Sequence, residues 1–161
     1  MKHRFAQDHT FKKEMGMIND TIKVTGELKL TLTKPDGNTH ETVVPNIVVT
    51  DGKEYIASRM KDATATAMSH MAIGTGTTAA AAGDSTLGTE AGRVALTSTT
   101  VTSNAVAYVA TFGAGTGTGA ITEAGILNAS SSGDLLCRTV FSVINKGAAD
   151  TLGITWTVTV N

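Results

Sequence analysis

The residues of this chain that could do chemistry are two glycine-rich runs, scattered histidines, a lone cysteine and a few isolated carboxylates. Gly74-Thr75-Gly76-Thr77-Thr78-Ala79, with Glu90 downstream, fits the looser form of a dinucleotide fingerprint, in which backbone N–H groups at a helix N-terminus receive a pyrophosphate. That chemistry needs a βαβ unit. Here Ala79 to Asp84 leads into further antiparallel strand patterns, so no nucleotide cofactor is expected. The second run, Gly113-Ala114-Gly115-Thr116-Gly117-Thr118-Gly119, lacks the Lys-Ser/Thr that completes a phosphate loop.

Metal chemistry would need converging ligands. His3, His9, His40 and His70 are scattered without helical pairing, and Cys137 has no second thiol, so no metal is expected. Cys137, on a strand beside Leu136, reads as a small core residue. Ser69-His70 and Asp134 carry the residue types of a nucleophile, a base and an orienter, but a triad is a spatial arrangement and their spacing does not assemble one. Glu123 and Asp134 would form an acid–base pair only if a cleft joined them. The ordinary expectation is a solvent-facing glutamate and a turn aspartate. The catalytic, cofactor and metal assignments are therefore all none.

Composition narrows the classes further. A chain of 161 residues fits one domain able to bury a core unaided. At 41% hydrophobic and 17% charged, much of its surface must be Thr, Ser, Gly and Ala, which suits packing against other subunits better than binding a charged substrate. A net charge of -1 provides no clustered Lys/Arg field, so nucleic acid is not an expected partner. No stretch is long and apolar enough to span a bilayer, and the N-terminus lacks the apolar run of a signal peptide; synthesis in the cytoplasm without a cleaved signal is expected.

The elements that must hold these residues are strands. The chain is organised around its last forty residues: Leu152, Ile154, Trp156, Val158 and Val160 share one face of a strand and threonines the other. With strands over 120–128 and 134–144, they are expected to form a three-stranded meander, its last loop Asn145 to Asp150. Upstream, Ile22 to Thr33 alternates cleanly and turns at Pro35-Asp36-Gly37-Asn38 into a return strand over 39–50, where Pro45 argues for an edge position or a bulge. Asp51-Gly52-Lys53-Glu54 has the spacing of a capping box, opening a helix with Tyr55, Ile56, Arg59 and Met60 on one face and ending near Asp62. A strand over 68–73, a long loop over 74–92 with a helical turn near Thr86 to Glu90, and a hairpin of 93–102 with 105–112 complete the chain. About eight strands and one short helix with hairpin-length connections predict an all-β fold, an antiparallel β-sandwich or jelly-roll-like barrel over 21–161. Residues 1–20 are expected to form an extended N-terminal arm, either anchored on a neighbouring subunit through Phe5 and Phe11 or folded back on its own domain.

Three runs carry a resemblance: Ala72 to Thr78 leading to Leu87-Gly88-Thr89-Glu90-Ala91-Gly92-Arg93; Ile121 to Asn128; and Leu136 to Phe141 through Ile154 to Val158. With Asn46 to Lys53, they resemble tailed-bacteriophage virion structural proteins of the head-decoration and tail-fibre-like kind. The resemblance covers most of the chain after residue 20 and brings no catalytic residues. It implies a non-enzymatic virion protein made in the host cytoplasm. Because neither heptads nor a fibrous repeat is present, the expected role is a capsid decoration or cement protein, contacting the major capsid protein and sister copies as a homo-oligomer. Phe5, Phe11, Lys12, Lys13, Glu90 and Arg93 are the expected contact residues. The alternative within the virion is a tail or baseplate adaptor or a tail-fibre-associated attachment protein. A sugar-binding or hydrolytic sandwich is a third reading, and 4% aromatic residues leave little to build its platform.

Overall fold

The computed structural model describes residues 21–61 and 65–161; the expected arm and its contact residues Phe5, Phe11, Lys12 and Lys13 lie outside these. In chain order the elements are β1 (Val24–Thr33), β2 (Thr39–Pro45), β3 (Ile47–Val48), α1 (Thr50–Ser58), β4 (His70–Gly74), β5 (Glu90–Ala95), β6 (Ser98–Thr102), β7 (Ala105–Phe112), β8 (Gly119–Leu127), β9 (Leu135–Lys146) and β10 (Thr151–Val160). They form an all-β sandwich of two antiparallel five-stranded sheets: β2-β1-β10-β7-β6, the first sheet, and β3-β9-β8-β4-β5, the second.

Alternation dictates the core. Leu28, Leu30 and Leu32 of β1 stand opposite Trp156, Ile154 and Leu152 of β10, and all six are buried. With Tyr108, Ala110 and Phe112 of β7 they meet Met71 and Ile73 of β4, Ile121, Ala124 and Ile126 of β8, and Cys137, Phe141 and Ile144 of β9. Each large side chain buried in this way contributes about 1.5–3 kcal/mol. The Trp156 indole N–H donates to Asn46 Oδ1 at 2.9 Å, which satisfies the one polar atom such a ring brings into a core.

The expected β1–β2 and β6–β7 hairpin pairings are present, but three expected connections are corrected, and in each the chain crosses between sheets where one continuous strand or hairpin was expected. The final forty residues do not form a single meander: β8 and β9 pair in the second sheet, whereas β10 lies between β1 and β7 in the first. β9 runs on through Asn145 and Lys146. Buried Asp150, accepting from the Gly147 N–H at 2.7 Å and from Lys34 Nζ at 2.6 Å, holds the crossing. The expected strand 93–102 is two strands in different sheets. Its backbone divides at Leu96, whose N–H goes to Ser69 of the second sheet's side, and Thr97, whose N–H goes to Val109 of the first. The return strand 39–50 likewise breaks at Asn46, with β2 an edge strand of the first sheet, as Pro45 requires, and β3 an edge of the second.

The helix also begins differently. Its N-cap is Val49, without a side-chain cap bond, and Asp51 lies inside the first turn, so the expected capping box is absent. Packing sets this start: Gly52 sits against the Leu136 carbonyl of β9, where any Cβ would overlap it. Tyr55 and Ile56 pack on the inter-sheet core, while Met60, expected on the same face, falls beyond the helix and is 83% exposed.

Candidate functional site

The outer face of the second sheet carries the most polar burial among the described residues. In β8 the inward residues are Ile121, Ala124 and Ile126, which leaves Glu123 and Gly125 outward; Arg138 of β9 stands opposite Gly125. Over this face lies the segment 75–89 between β4 and β5, clamped by Leu87, which joins Val49, Ala72, Leu127 and Leu135 in a second apolar cluster. The helical turn expected near Thr86 is absent, because Leu87 is drawn down onto the sheet and the backbone on either side turns inward.

Glu123, expected to face solvent, has no exposed surface. Its Oε1 accepts the Gly76 N–H at 2.9 Å and the Thr89 N–H at 2.7 Å; its Oε2 accepts the Gly88 N–H at 2.9 Å, Arg138 Nε at 2.9 Å and Arg138 Nη2 at 2.8 Å. A second carboxylate completes the cluster: Asp84 Oδ2 accepts Arg138 Nη1 at 2.7 Å and the Ala81 N–H at 2.9 Å. Arg138 Nη2 also reaches the Thr78 carbonyl at 3.0 Å, and the Thr122 hydroxyl donates to the Gly76 carbonyl at 2.9 Å. The loop is thus tied at both ends and in its middle to two strands.

Burial pushes the Glu123 carboxyl pKa up, yet the Thr89 and Gly88 amides, the Arg138 guanidinium and the Gly76 amide outweigh it and hold the group below its usual range. Asp84 is likewise lowered against its own desolvation, by the Ala81 amide and Arg138. Arg138 is held above its ordinary value because the two carboxylates outweigh the cost of burying it. All three groups are charged at neutral pH.

The glycine run that fits a nucleotide fingerprint therefore does help bind an anion, through the Gly76 amide together with those of Gly88 and Thr89 at the far end of the loop, but the anion is the protein's own. A side chain at Gly76 would overlap Glu123 Oε1, and a Cβ at Gly74 would stand 2.6 Å from the same atom. Gly76 is required because the carboxylate occupies the space a side chain would take, and Gly74 because the Thr89 carbonyl and the same carboxylate do. Chemically Glu123 is saturated: each of its oxygens already has two or three donors, which leaves no free lone pair for proton transfer.

The other sequence candidates are dispersed. Glu90 and Arg93 come together, but with each other: Nη2 to Oε2 is 2.6 Å and Nε to Oε1 is 2.9 Å, and Arg93 Nη1 donates to the Ala129 and Ser132 carbonyls, tying β5 to the 129–133 turn. Asp134 pairs with Asn128 Nδ2 at 2.8 Å across the same turn and not with Glu123. Ser69 Oγ lies 2.8 Å from His70 Nδ1, a contact between chain neighbours. Cys137 is fully buried, which pushes its thiol well up, away from reactivity. Among the described residues no three His, Cys, Asp or Glu converge as metal ligands.

Sequence reasoning missed Arg138 and Asp84 and placed Glu123 at the surface. The available signal was two opposite charges inside otherwise apolar strand patterns, Ile121 to Leu127 and Leu135 to Phe141, where an ionised residue needs a partner. No protein-family model, curated protein or solved structure matches this chain.

Proposed function

We propose that this chain is a non-enzymatic structural protein of a tailed-bacteriophage virion, and within it a capsid decoration protein that binds the major capsid protein and sister copies. The observation that carries the reading is the internal anion in the glycine cradle. The segment with the most chemical promise is spent on fixing a loop, so the Gly/Ala/Thr sequence of 75–89 serves shape. The resemblance of that same segment, of Ile121 to Asn128 and of the β9–β10 region to virion proteins points in the same direction. A low-charge sandwich with a locked loop adheres through complementary surface, as a cement protein must.

The deciding experiment is the copy number per particle from gel densitometry of purified virions, paired with antibody labelling viewed by electron microscopy. Hundreds of copies with label over the head are expected. A handful of copies with label at the tail tip would overturn the decoration role in favour of a tail or baseplate adaptor, and absence from particles would overturn the virion reading itself.

A further inference from the structure

Among the described residues four strands form the edges of the two sheets, and three of them are blunted. β2 carries His40, Glu41 and Pro45, the last without an N–H to offer a further strand. β5 carries Glu90 and Arg93, and its ladder is irregular at Ile73/Gly74. β3 is only two residues long. β6 has none of these protections. Its sequence, Ser98-Thr99-Thr100-Val101-Thr102, is uncharged and rich in β-branched residues, it pairs in continuous register with β7, and all five residues are exposed.

The strand also overhangs the sandwich. Thr99 stands opposite Tyr108 and Val101 opposite Val106, which places both on the inward face of the first sheet, yet Val101 is 70% exposed because nothing described in the second sheet reaches beneath it. The hairpin is not loose. The Asn104 side-chain amide donates to the Val160 carbonyl at 2.7 Å, and the Val160 N–H donates to the Asn104 carbonyl at 2.9 Å, so the edge is held ready for pairing. In an antiparallel ladder every second residue of an edge strand directs its N–H and C=O away from its one neighbour, which among the described residues leaves an open row of donors and acceptors on β6.

We infer that β6 is a self-association edge, pairing antiparallel with β6 of a second copy to join two first sheets into one continuous sheet. The occupant follows from charge and symmetry. A strand bearing charges finds no counter-charge on β6, whereas a second β6 brings none. With Thr100 on the two-fold axis, each Val101 lies beside Thr99 of the other copy on the inward face, so one operation gives both exposed valines a β-branched cross-strand neighbour. Two five-residue strands bury less than a standard interface, so the dimer is reversible and concentration-dependent. This inference rests on the fold alone and stands or falls apart from the virion role.

Sedimentation of the full chain from micromolar to millimolar concentration tests it. The mass is expected to rise from 16.6 kDa toward twice that value. Val101→Lys should raise the dissociation constant tenfold or more, while Thr42→Lys, on the opposite edge of the same sheet, should leave it unchanged. Thr100→Cys should form a disulfide-linked dimer in air, against a background kept low by the burial of Cys137, and this readout decides the matter should Val101→Lys fail to fold. A chain that stays monomeric at millimolar concentration, a Thr100→Cys variant that does not cross-link, or association abolished equally by Thr42→Lys would each overturn the proposal.

Discussion

On the first sheet, the outward side chains of β1 and β10 pair as Thr25 with Thr159, Glu27 with Thr157 and Lys29 with Thr155, and they stand in water or only half covered. On the second, the outward Glu123, Gly125 and Arg138 lie beneath the 75–89 loop with almost no exposure. Both are outer faces of five-stranded antiparallel sheets, yet one is polar without charge burial and the other buries charge. An outward strand position can thus be satisfied in two ways, by solvent or by a loop that brings its own amides, and the second costs far more to disturb. A solvated threonine exchanges one partner for water, but a buried carboxylate deprived of its donors cannot.

The sharpest way to break this contrast is to remove one member of the buried pair. Glu123→Ala leaves Arg138 buried with only the partly exposed Asp84 as a counter-charge, and the expected destabilisation is about 3–5 kcal/mol by urea unfolding. Hydrogen exchange should show the 75–89 amides released before the sheet itself. The double variant Glu123→Leu with Arg138→Met should lose less than Glu123→Ala alone, because the ion then left without its partner, Asp84, is partly exposed and no fully buried charge remains. Equal losses would mean that the loop is held by Leu87 and packing and not by the ion cluster.

Next in size is Gly76→Ala. The added methyl group meets Glu123 Oε1, so either the carboxylate or the loop must shift, at an expected cost of about 1–3 kcal/mol. Gly83→Ala, in the same loop with open space around its Cα, is the matched control and should change little.

Acid provides a milder test. Glu123 and Asp84 both titrate below their ordinary values in the folded protein, so they bind protons more weakly there than in the unfolded chain. Their contribution is present in full above the unfolded carboxylate range near pH 4–5 and is lost as the pH falls through the folded values. Stability measured by denaturant should decline over that acid range, and Glu123→Gln should flatten the decline. For Asp84, whose side chain is 24% exposed, Asp84→Asn should cost about 1 kcal/mol or less.

How much of this contrast was legible in the sequence follows from the range of the forces involved. Period-two alternation over Val24 to Thr33 and Thr151 to Val160 is a local consequence of strand geometry, and it gave both the strands and their buried faces. Sheet membership is not local. The crossings at Asn46, Leu96 and Asp150 depend on which partner each backbone N–H finds, and a break of one or two residues leaves the hydrophobic pattern almost unmarked. The ion cluster was hidden for the same reason: Glu123, Arg138 and Asp84 are separated by 15 and 54 residues in sequence, and only the sheet register and loop closure bring them together. The glycine run was visible as an amide cradle, but its occupant was not.

The smallest expected effect sharpens the other half of the comparison. Thr155 projects from the centre of the first sheet, exposed, opposite Lys29 on β1 and Val109 on β7. Thr155→Ser keeps the hydroxyl and removes the β-branch, so the change tests strand propensity on a solvated face and little else. A melting experiment should place the variant within about 0.5 kcal/mol of the parent protein, an order of magnitude below Glu123→Ala. A loss above about 1 kcal/mol would mean that this face is covered in the folded protein, with the threonines packed against a surface and not against water. In that case the distinction between the two sheets would lie in what covers them and not in whether they are covered.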